Sequence, residues 1–189
     1  MKNIFIRVFD VLISILLLFI LFPIILFTSI LILFFDGRPI LFTQVRIGQY
    51  GKRFKIFKFR TMKNNSLKKE NLRVTKFGRI IRRLSIDEIP QFFNVIKNDM
   101  SIVGPRPLPE INEKKINKSL RIKRRKVSPG ITGMSQINYT GKFRKLEDKV
   151  KLDIRFINNY SIYIYFKILL HTPIVLIIRL LKNKSSIIK

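Results

Sequence analysis

The apolar and polar positions of the chain form blocks of different spacing, and the first block is a long apolar run. Residues 11–35 carry no charged side chain over twenty-five positions. A helix of that length is about 37 Å long, enough to cross a hydrocarbon layer of roughly 30 Å. Pro23 lies near the middle of the run; it removes a helical hydrogen bond and predicts a kink there.

The kink leaves two geometries open for this membrane element. Each arm has about twelve residues and is roughly 18 Å long, too short to span by itself. Lys2 and Arg7 flank one end of the run, and Arg38 and Arg46 flank the other. Since cations prefer the cytoplasmic side of a membrane, cations at both ends favour a re-entrant hairpin. Proline-kinked spans are common, so a single span remains the alternative.

A β-hairpin is predicted after the apolar run. Residues 40–46 have strand composition, and residues 47–52 form a glycine-bearing turn. Residues 53–62 alternate cations with Phe and Ile, the period of a half-buried strand, with Lys58 and Arg60 on its polar face. An ordinary edge strand, in which cations discourage aggregation, explains the same two side chains.

The rest of the chain reads as helices joined by polar segments. Residues 63–75 predict a mobile loop. Residues 76–84 predict a basic amphipathic helix that can rest on anionic headgroups. A helical run is predicted over 91–100, with Phe92, Phe93, Val95 and Ile96 buried.

Three elements are predicted beyond the VGPRP turn at 103–107. A basic helix over 112–126 has Ile116 and Leu120 on its apolar face, and a further helix covers 152–160. Between them lies a rigid loop over 127–138, whose glycines allow the backbone to approach a ligand closely.

The last apolar segment, residues 161–181, contains Lys167, Pro173 and Arg179. Charges of this kind disfavour a second span, so an interfacial or buried helix is expected. His171, the single histidine of the chain, lies in this segment and is interpreted as a structural or interfacial residue and not as a ligand.

Composition narrows the partners and the chemistry. The formal net charge of +27 over 189 residues indicates an anionic partner, which leaves nucleic acid, an anionic membrane or phosphorylated ligands. Cysteine is absent, which excludes disulfides, Cys-based zinc sites and a thiol nucleophile. The chain has no Walker A loop, no G-x-G-x-x-G and no HExxH, so soluble nucleotide-binding and zinc-protease functions lack support. Since the single histidine, His171, lies in the apolar C-terminal segment, acid–base work is expected to fall to carboxylates.

An acidic pair stands out against this charge. Asp87 and Glu88 follow residues 52–83, which contain thirteen Lys and Arg but one acid, Glu70. Beyond the pair, residues 103–107 (VGPRP) form a stiff turn that presents one guanidinium. Carboxylates, cations and a rigid turn together suggest phosphate chemistry with a divalent metal.

Helix capping is the alternative explanation of the acidic pair. Ser85 suits an N-cap, and Glu88 follows it at the spacing of a capping box. Asp87 would then complement the helix dipole. Spacing alone leaves capping and chemistry equally open.

Several motifs together resemble the bacterial sugar transferase family. They are KFRTM at 58–62, LSIDEIPQ at 84–91, NVIKNDMS at 94–101, VGPRP at 103–107 and PGITG at 129–133. The family comprises monotopic phosphoglycosyl transferases that begin glycan assembly on a polyprenyl phosphate. The resemblance covers nearly the whole chain, to about Ile178, and its ordered motifs are more specific than any single one.

The resemblance implies a fold and a place in the cell. The expected class is α+β and mostly helical. Residues 1–36 would form a re-entrant membrane helix-hairpin broken at Pro23, and residues 37–189 a small α/β catalytic domain with amphipathic interfacial helices. The resemblance places this domain on the cytoplasmic face of the bacterial inner membrane.

The resemblance also implies a reaction. Sugar-1-phosphate would pass from a UDP-sugar to polyprenyl (undecaprenyl) phosphate, releasing UMP, with Asp87 as the nucleophile of an aspartyl-phosphosugar intermediate and Glu88 as its partner. Adjacent helical residues point about 100° apart, so the two carboxylates would take distinct roles. Mg²⁺ would be the cofactor, with Asp87 and Glu88 as candidate ligands. The candidate substrate-binding residues are Lys58, Arg60, Arg106 and Gln136. Membrane lipids and downstream glycosyltransferases are the further partners, and nucleic acid is not.

The chain departs from the family after the PGITG motif. Many members continue with Trp-Ala-Gln and later Asn-Gly-Arg, whereas Met134 and Ser135 precede Gln136 here, and Tyr139 and Thr140 follow Asn138. These changes bear on the choice of sugar or nucleotide and leave the acidic pair intact. A member with an inactive site is one alternative. A non-catalytic membrane-anchored basic adaptor for anionic lipid or nucleic acid is another, but it leaves the acidic pair and the arginine turn unexplained.

Overall fold

The computed structural model describes residues 3–63, 73–138 and 145–181 in full and the backbone of residues 182–185. In these ranges the chain is mostly helical with two small sheets, which confirms the predicted α+β class. Most of the predicted loop over 63–75 lies outside the described residues. The elements are α1 Ile4–Ile20, α2 Phe22–Asp36, β1 Leu41–Ile47, β2 Arg53–Phe59, α3 Lys76–Arg83, α4 Gln91–Ile96, β3 Ser101–Val103, α5 Glu110–Lys114, α6 Lys118–Arg124, β4 Gly130–Thr132, α7 Met134–Ile137, α8 Leu146–Asn158 and α9 Ile162–Ser185.

The predicted break in the N-terminal apolar run is confirmed. Helices α1 and α2 meet at a bend of 60°. Pro23 lies in the first turn of α2, where an N–H would have no helical partner. A bent pair of this length fits both a broken span and a re-entrant hairpin, and Ile162–Leu181 within α9 is also long and apolar enough to cross a membrane.

One side of α1 is attached to the rest of the protein through polar contacts. Asp10 is only 2% exposed. Its carboxylate accepts hydrogen bonds from the Ser101 hydroxyl at 2.7 Å, the Ile102 amide at 3.1 Å and the Tyr165 hydroxyl. The Arg7 guanidinium donates to two carbonyl oxygens at the end of α4. The first half of α1 therefore belongs to the same packed unit as β3, α4 and α9.

The predicted β-hairpin is confirmed. Strands β1 and β2 pair antiparallel, with Leu41 opposite Phe59. Lys58 lies near the end of β2 and is half-buried. Arg60 lies one residue beyond the strand and is 5% exposed, so the expectation that it shares a polar face with Lys58 is wrong. Its guanidinium turns inward to backbone carbonyl oxygens at the end of α2.

The second sheet joins two distant motifs. Strands β3 and β4 pair in parallel, with Val103 opposite Thr132. A Cβ atom on Gly130 would lie 2.1 Å from the Gly104 nitrogen, and one on Gly133 would lie 2.1 Å from the Gly104 oxygen. The glycines of this loop thus allow a close approach to the backbone turn at Gly104, whereas the predicted approach to a ligand stays a prediction.

Several details of the helical predictions are wrong. The run predicted over 91–100 is helical only over Gln91–Ile96. The basic stretch 112–126 forms two helices, because Asn117 caps a new one by accepting a hydrogen bond from the Ser119 amide at 2.9 Å. Phe93 is 49% exposed, because it lies on the face of α4 opposite the buried Val95. Helix α8 begins at Leu146 instead of residue 152.

The core lies between the N-terminal helix and the two sheets. The main apolar cluster is built on residues from α1, β2, α4, β3, α8 and α9, and a smaller cluster of Ile32, Phe59 and Ile81 joins α2 to β2 and α3. Burial of these side chains is the main stabilising contribution. Because β2 and α3 are held by the same small cluster, the chain segments that follow each of them are brought close together.

Candidate active site

The acidic pair lies on a single 3₁₀ turn, Ile86–Glu88, that follows α3. Ser85 enters this turn with a positive φ of 58°, and its side chain makes no cap hydrogen bond. The capping-box interpretation of Glu88 is therefore wrong. A 3₁₀ turn has three residues per turn, so adjacent side chains diverge more than on an α-helix. Asp87 and Glu88 accordingly meet different surroundings.

Glu88 is held by two cations. One of its oxygens, Oε1, accepts hydrogen bonds from the Lys58 ammonium at 2.5 Å and from the Arg106 guanidinium at 2.8 Å. Burial alone would raise the pKa of Glu88, but Arg106 and Lys58 outweigh it and lower that pKa to about 2. Glu88 is thus a permanently charged anchor that fixes two cations beside the pair.

Asp87 has a contrasting environment. It is 9% exposed, and among the described residues no side chain or amide donates a hydrogen bond to its carboxylate. Burial, and then the charge of Glu88, raise the pKa of Asp87 to about 6, against the opposing effect of Lys58, Arg82 and Arg106. The two adjacent carboxyl groups are therefore driven about four pKa units apart (from about 6 to about 2). Such a separation is typical of paired groups with different chemical roles.

Arg106 reaches the pair from the stiff turn after β3. It is exposed while its neighbours Pro105 and Pro107 are buried. The turn is tied to β4 by the Gly130 amide, which donates to the Pro105 carbonyl at 2.9 Å. The guanidinium side chain is 44% exposed, so it contacts Glu88 and still faces open space.

The strand that carries Lys58 is anchored by a residue that the sequence analysis missed. Asn94 in α4 is fully buried. Its side chain accepts a hydrogen bond from the Phe57 amide at 2.9 Å and donates to the Lys55 carbonyl at 2.7 Å. These bonds hold α4 against β2 on both sides of Ile56. The available signal was an amide flanked by apolar residues, Phe93 and Val95, in a predicted buried helix.

Two predicted substrate-binding residues lie outside this cluster. Arg60 donates to the carbonyl oxygens of three consecutive residues, among them Arg38 at 3.0 Å. The Gln136 side chain contacts Ser135 at 2.9 Å and the Ile131 carbonyl at 3.4 Å. Among the described contacts neither residue reaches the acidic pair. The structure thus brings together four of the six predicted residues: Lys58, Asp87, Glu88 and Arg106.

Two other predictions concern residues in the C-terminal third of the chain. The His171 ring donates from Nδ1 to the Lys167 carbonyl at 2.7 Å within α9, which agrees with a structural role. The departures at Tyr139 and Thr140 lie outside the described residues. Met134 and Ser135 fall in α7, directly after the β4 strand.

The carboxylates of the acidic pair suit a magnesium ion that a ligand also binds better than one that protein side chains alone surround. Within the part of the chain that the structure describes, no group of three His, Cys, Asp or Glu side chains converges. Asp87 and Glu88 supply two carboxylates, and Oε1 of Glu88 is already occupied by cations. Mg²⁺ commonly keeps several waters and takes one or two carboxylates together with substrate phosphates. The pair meets that requirement only with a phosphorylated ligand present.

Comparison with known proteins gives consistent matches. The model of the family described as bacterial sugar transferase matches residues 1–179. The uncharacterized sugar transferase EpsL of Bacillus subtilis (strain 168) is 44% identical over 173 residues, covering 86% of this chain and 82% of that protein. A UDP-glucose:undecaprenyl-phosphate glucose-1-phosphate transferase of Klebsiella pneumoniae is 37% identical over 182 residues, covering 89% of this chain and 39% of that protein.

A third relative carries a different sugar in its name. The UDP-N-acetylgalactosamine-undecaprenyl-phosphate N-acetylgalactosaminephosphotransferase of Aeromonas hydrophila is 36% identical over 153 residues, covering 75% of this chain and 36% of that protein. The chain therefore spans most of the Bacillus protein and well under half of the Klebsiella and Aeromonas proteins, whose names state their substrates.

Proposed function

Since the chain belongs to the bacterial sugar transferase family, we propose that it transfers a sugar-1-phosphate from a UDP-sugar to undecaprenyl phosphate. The relatives with substrate names act on UDP-sugars and undecaprenyl phosphate, and the motifs shared with the family include the acidic pair. The observation that carries the proposal is the contrast between Asp87 and Glu88. One carboxylate is buried and free of hydrogen bonds from described residues, and the other holds two cations beside it.

Asp87 is the proposed nucleophile. Its oxygen attacks the phosphorus that bears the sugar, the phosphoanhydride bond to UMP breaks, and UMP leaves with the bridging oxygen. An oxygen of the undecaprenyl phosphate then attacks the same phosphorus and releases the Asp87 carboxylate. A pKa of about 6 leaves this carboxylate mostly ionised at neutral pH. Its weak solvation by water and its lack of a described hydrogen-bond donor support a reactive oxygen.

Glu88, Lys58 and Arg106 are proposed to prepare the site for the diphosphate. Glu88 holds both cations at one oxygen, so their positions are set before a substrate arrives. The half-exposed Arg106 guanidinium has the planar fork that suits phosphate oxygens. Mg²⁺, when bound by Asp87 or Glu88 with the substrate, would neutralise diphosphate charge.

We place the site at the cytoplasmic surface of the inner membrane, next to a re-entrant hairpin formed by α1 and α2. The outward faces of both helices are strongly apolar, with Phe19 80% and Phe34 81% exposed. Side chains of this kind are stable against lipid and not against water. The hairpin exit is tied to the strand that carries Lys58, because Arg60 binds the last carbonyls of α2. This link supports a site close to the headgroups, where undecaprenyl phosphate presents its charge.

The test is transfer by an Asp87→Asn variant in isolated membranes. Membranes that contain the full chain are incubated with UDP-sugar, Mg²⁺ and undecaprenyl phosphate, and released UMP is measured. We expect the variant to insert into membranes normally and to release UMP at least about 10³-fold more slowly, since a neutral amide cannot attack phosphorus. Near-normal release by the variant would defeat the assignment. No release by the wild-type chain with any UDP-sugar would favour a non-catalytic adaptor.

A further inference from the structure

Arg124 and Asp153 form an ion pair that is almost completely enclosed. Arg124 is 6% exposed and Asp153 is 3% exposed. The Arg124 guanidinium donates from Nε and from Nη2 to the same Asp153 oxygen, at 3.1 Å and 2.9 Å. The pair joins the end of α6 to the middle of α8. Buried pairs of this kind pay a large desolvation penalty and are weak evidence of a purely stabilising role.

The same guanidinium makes one further bond, and that bond reaches the active-site turn. Nη2 of Arg124 donates to the backbone carbonyl oxygen of Arg106 at 2.8 Å. The ties to β4 hold the preceding residues, through the Gly104 amide to the Thr132 carbonyl at 2.8 Å and the Gly130 amide to Pro105. Arg106 lies beyond both of these ties. Its own carbonyl is held by Arg124.

Holding that carbonyl restricts the direction of the Arg106 side chain. The ring of Pro107 fixes the backbone dihedral φ of residue 107, which follows the carbonyl of Arg106. The residue before a proline is itself restricted, and a fixed carbonyl oxygen sets its remaining rotation, ψ. A guanidinium is planar, so once Asp153 accepts two of its N–H groups the next one points in a defined direction. Asp153 therefore aims Arg124, and Arg124 fixes the backbone from which Arg106 reaches Glu88.

We propose that Arg124 and Asp153 are positioning residues that hold Arg106 in line with Glu88 and with the phosphates of the substrate. The proposal rests on the proposed function only for its kinetic consequence. Its structural consequence, a turn at 103–107 that loosens when the pair is altered, is independent of the reaction.

The chain contains a matched control one residue further along. Arg125 donates to Glu113 at 2.5 Å, and the Glu113 side chain is 4% exposed, so this is a second ion pair with a buried carboxylate. The pair joins the end of α6 to α5. Among the described contacts it makes no bond to Arg106. Altering it disturbs the same helix and leaves the carbonyl of Arg106 bound.

The main variant is Arg124→Lys in the full chain, reconstituted in membrane lipid. It keeps a positive charge beside Asp153 but removes the planar fork that serves both acceptors. A second variant, Arg124→Met with Asp153→Leu, removes both charges together, since replacing both partners of a buried pair by apolar residues is often tolerated. Arg125→Gln is the control, and Arg106→Gln is the reference for loss of the side chain that is being positioned.

Two measurements decide the proposal. Hydrogen exchange is followed by mass spectrometry in the peptide that contains Gly104 and Arg106, and we expect about tenfold faster exchange in both Arg124 variants but not in Arg125→Gln. In UMP-release kinetics, Arg124→Lys should lower kcat by about 10- to 100-fold. The relative changes in kcat and KM should match those caused by Arg106→Gln. In a protein that already carries Arg106→Gln, the Arg124→Lys substitution should change the rate by less than about twofold, because Arg124 acts only through the Arg106 side chain.

The outcomes separate the proposal from its premise. Unchanged exchange in the turn of both Arg124 variants would overturn it, as would an equal increase in Arg125→Gln. If the rate loss of the double variant equals the product of the losses of Arg106→Gln and Arg124→Lys, Arg124 acts by a route other than Arg106. Failure of the wild-type chain to release UMP would refute the proposed function, and the exchange comparison would still decide whether the pair holds the turn.

Discussion

Asp87 and Glu88 are neighbours in the chain, yet their electrostatic surroundings oppose each other. Glu88 shares one oxygen between Lys58 and Arg106, which keeps its pKa near 2 although burial alone would raise it. The same cations act on Asp87 only at longer range, and burial with the charge of Glu88 raises its pKa to about 6. The order of the two residues in a 3₁₀ turn thus decides which carboxyl group has the raised pKa and which has the lowered one.

The pKa of Asp87 predicts the acid limb of the pH–rate profile. In the proposed mechanism attack needs the ionised carboxylate, so kcat/KM should rise about tenfold per pH unit up to pH 6 and level off above it. Measuring UMP release between pH 4.5 and 8 locates the limb. Arg82→Gln removes one cation that lowers this pKa and should move the limb to higher pH. A profile that is flat down to pH 5 would contradict the assignment of Asp87.

The same shift predicts a stability effect. The folded pKa of Asp87 is raised from 3.8 to about 6, so the folded state binds its proton more tightly than the unfolded state. Ionised Asp87 therefore destabilises the fold above pH 6, and this effect disappears below the unfolded pKa. We expect Asp87→Asn to raise the free energy of unfolding by about 1–3 kcal/mol at pH 7.5. Thermal unfolding in detergent at pH 7.5 and pH 4 measures it; a variant equally stabilised at both pH values would refute this origin.

At the scale of elements, the site depends on a direct backbone contact between the turn after β3 and strand β4. The turn after β3 and the start of β4 are in direct contact at Gly104 and Gly130. The PGITG and VGPRP motifs are thereby fused into one parallel pair of strands. Their proximity explains how a motif near residue 130 can set the position of Arg106, although the Gln136 side chain itself makes no described contact with the acidic pair.

A methyl group at Gly130 tests this contact. The Cβ atom of Gly130→Ala would lie 2.1 Å from the Gly104 nitrogen, so one backbone must shift and the bond to Pro105 must weaken. We expect a loss of about 1–3 kcal/mol in stability and a marked loss of UMP release. Gly48→Ala is the control, because its nearest atoms are 3.2 Å away in the loop of the β-hairpin. Equal effects of the two substitutions on transfer would argue against a special role for the β3–β4 contact.

At the scale of the whole molecule, a strongly basic body is combined with apolar helices. The net charge of +27 suits anionic headgroups and phosphorylated ligands. Helices α1 and α2 expose apolar side chains on one side, while Arg7 and Asp10 attach α1 to the core on the other. The apolar pair is therefore continuous with the domain that carries the site, and its angle to that domain is set by these polar contacts.

The re-entrant geometry predicts where the N-terminus lies. The chain has no cysteine, so single cysteines introduced at Lys2 and at Lys118 of α6 can be labelled without background. In intact cells a membrane-impermeant maleimide should label neither, and after permeabilisation it should label both. Labelling of the N-terminal cysteine alone in intact cells would establish a single span.

The sequence by itself determined the family, the class of fold, the β-hairpin and the break at Pro23. These rest on local patterns, namely apolar runs, alternation, proline and ordered motifs, and such patterns survive in any folded context. The charge pattern and the stiff turn also singled out Asp87, Glu88 and Arg106, because unusual charges in a rigid setting are visible without coordinates. Lys58 was added by the resemblance, together with Arg60 and Gln136, which lie outside the acidic cluster.

Only the tertiary structure decided what each of those residues contacts. Spacing alone left capping and chemistry equal for Glu88, and the family motifs favoured chemistry; the structure excludes the capping box and places Lys58 and Arg106 on the Glu88 carboxylate. Arg60 looked like a surface cation and is a buried link to α2. Asn94, Arg124 and Asp153 were missed because their partners lie between 18 and 39 residues away in the chain. Burial and long-range hydrogen bonds arise only when distant segments pack together, and they set the pKa values and directions on which the site depends.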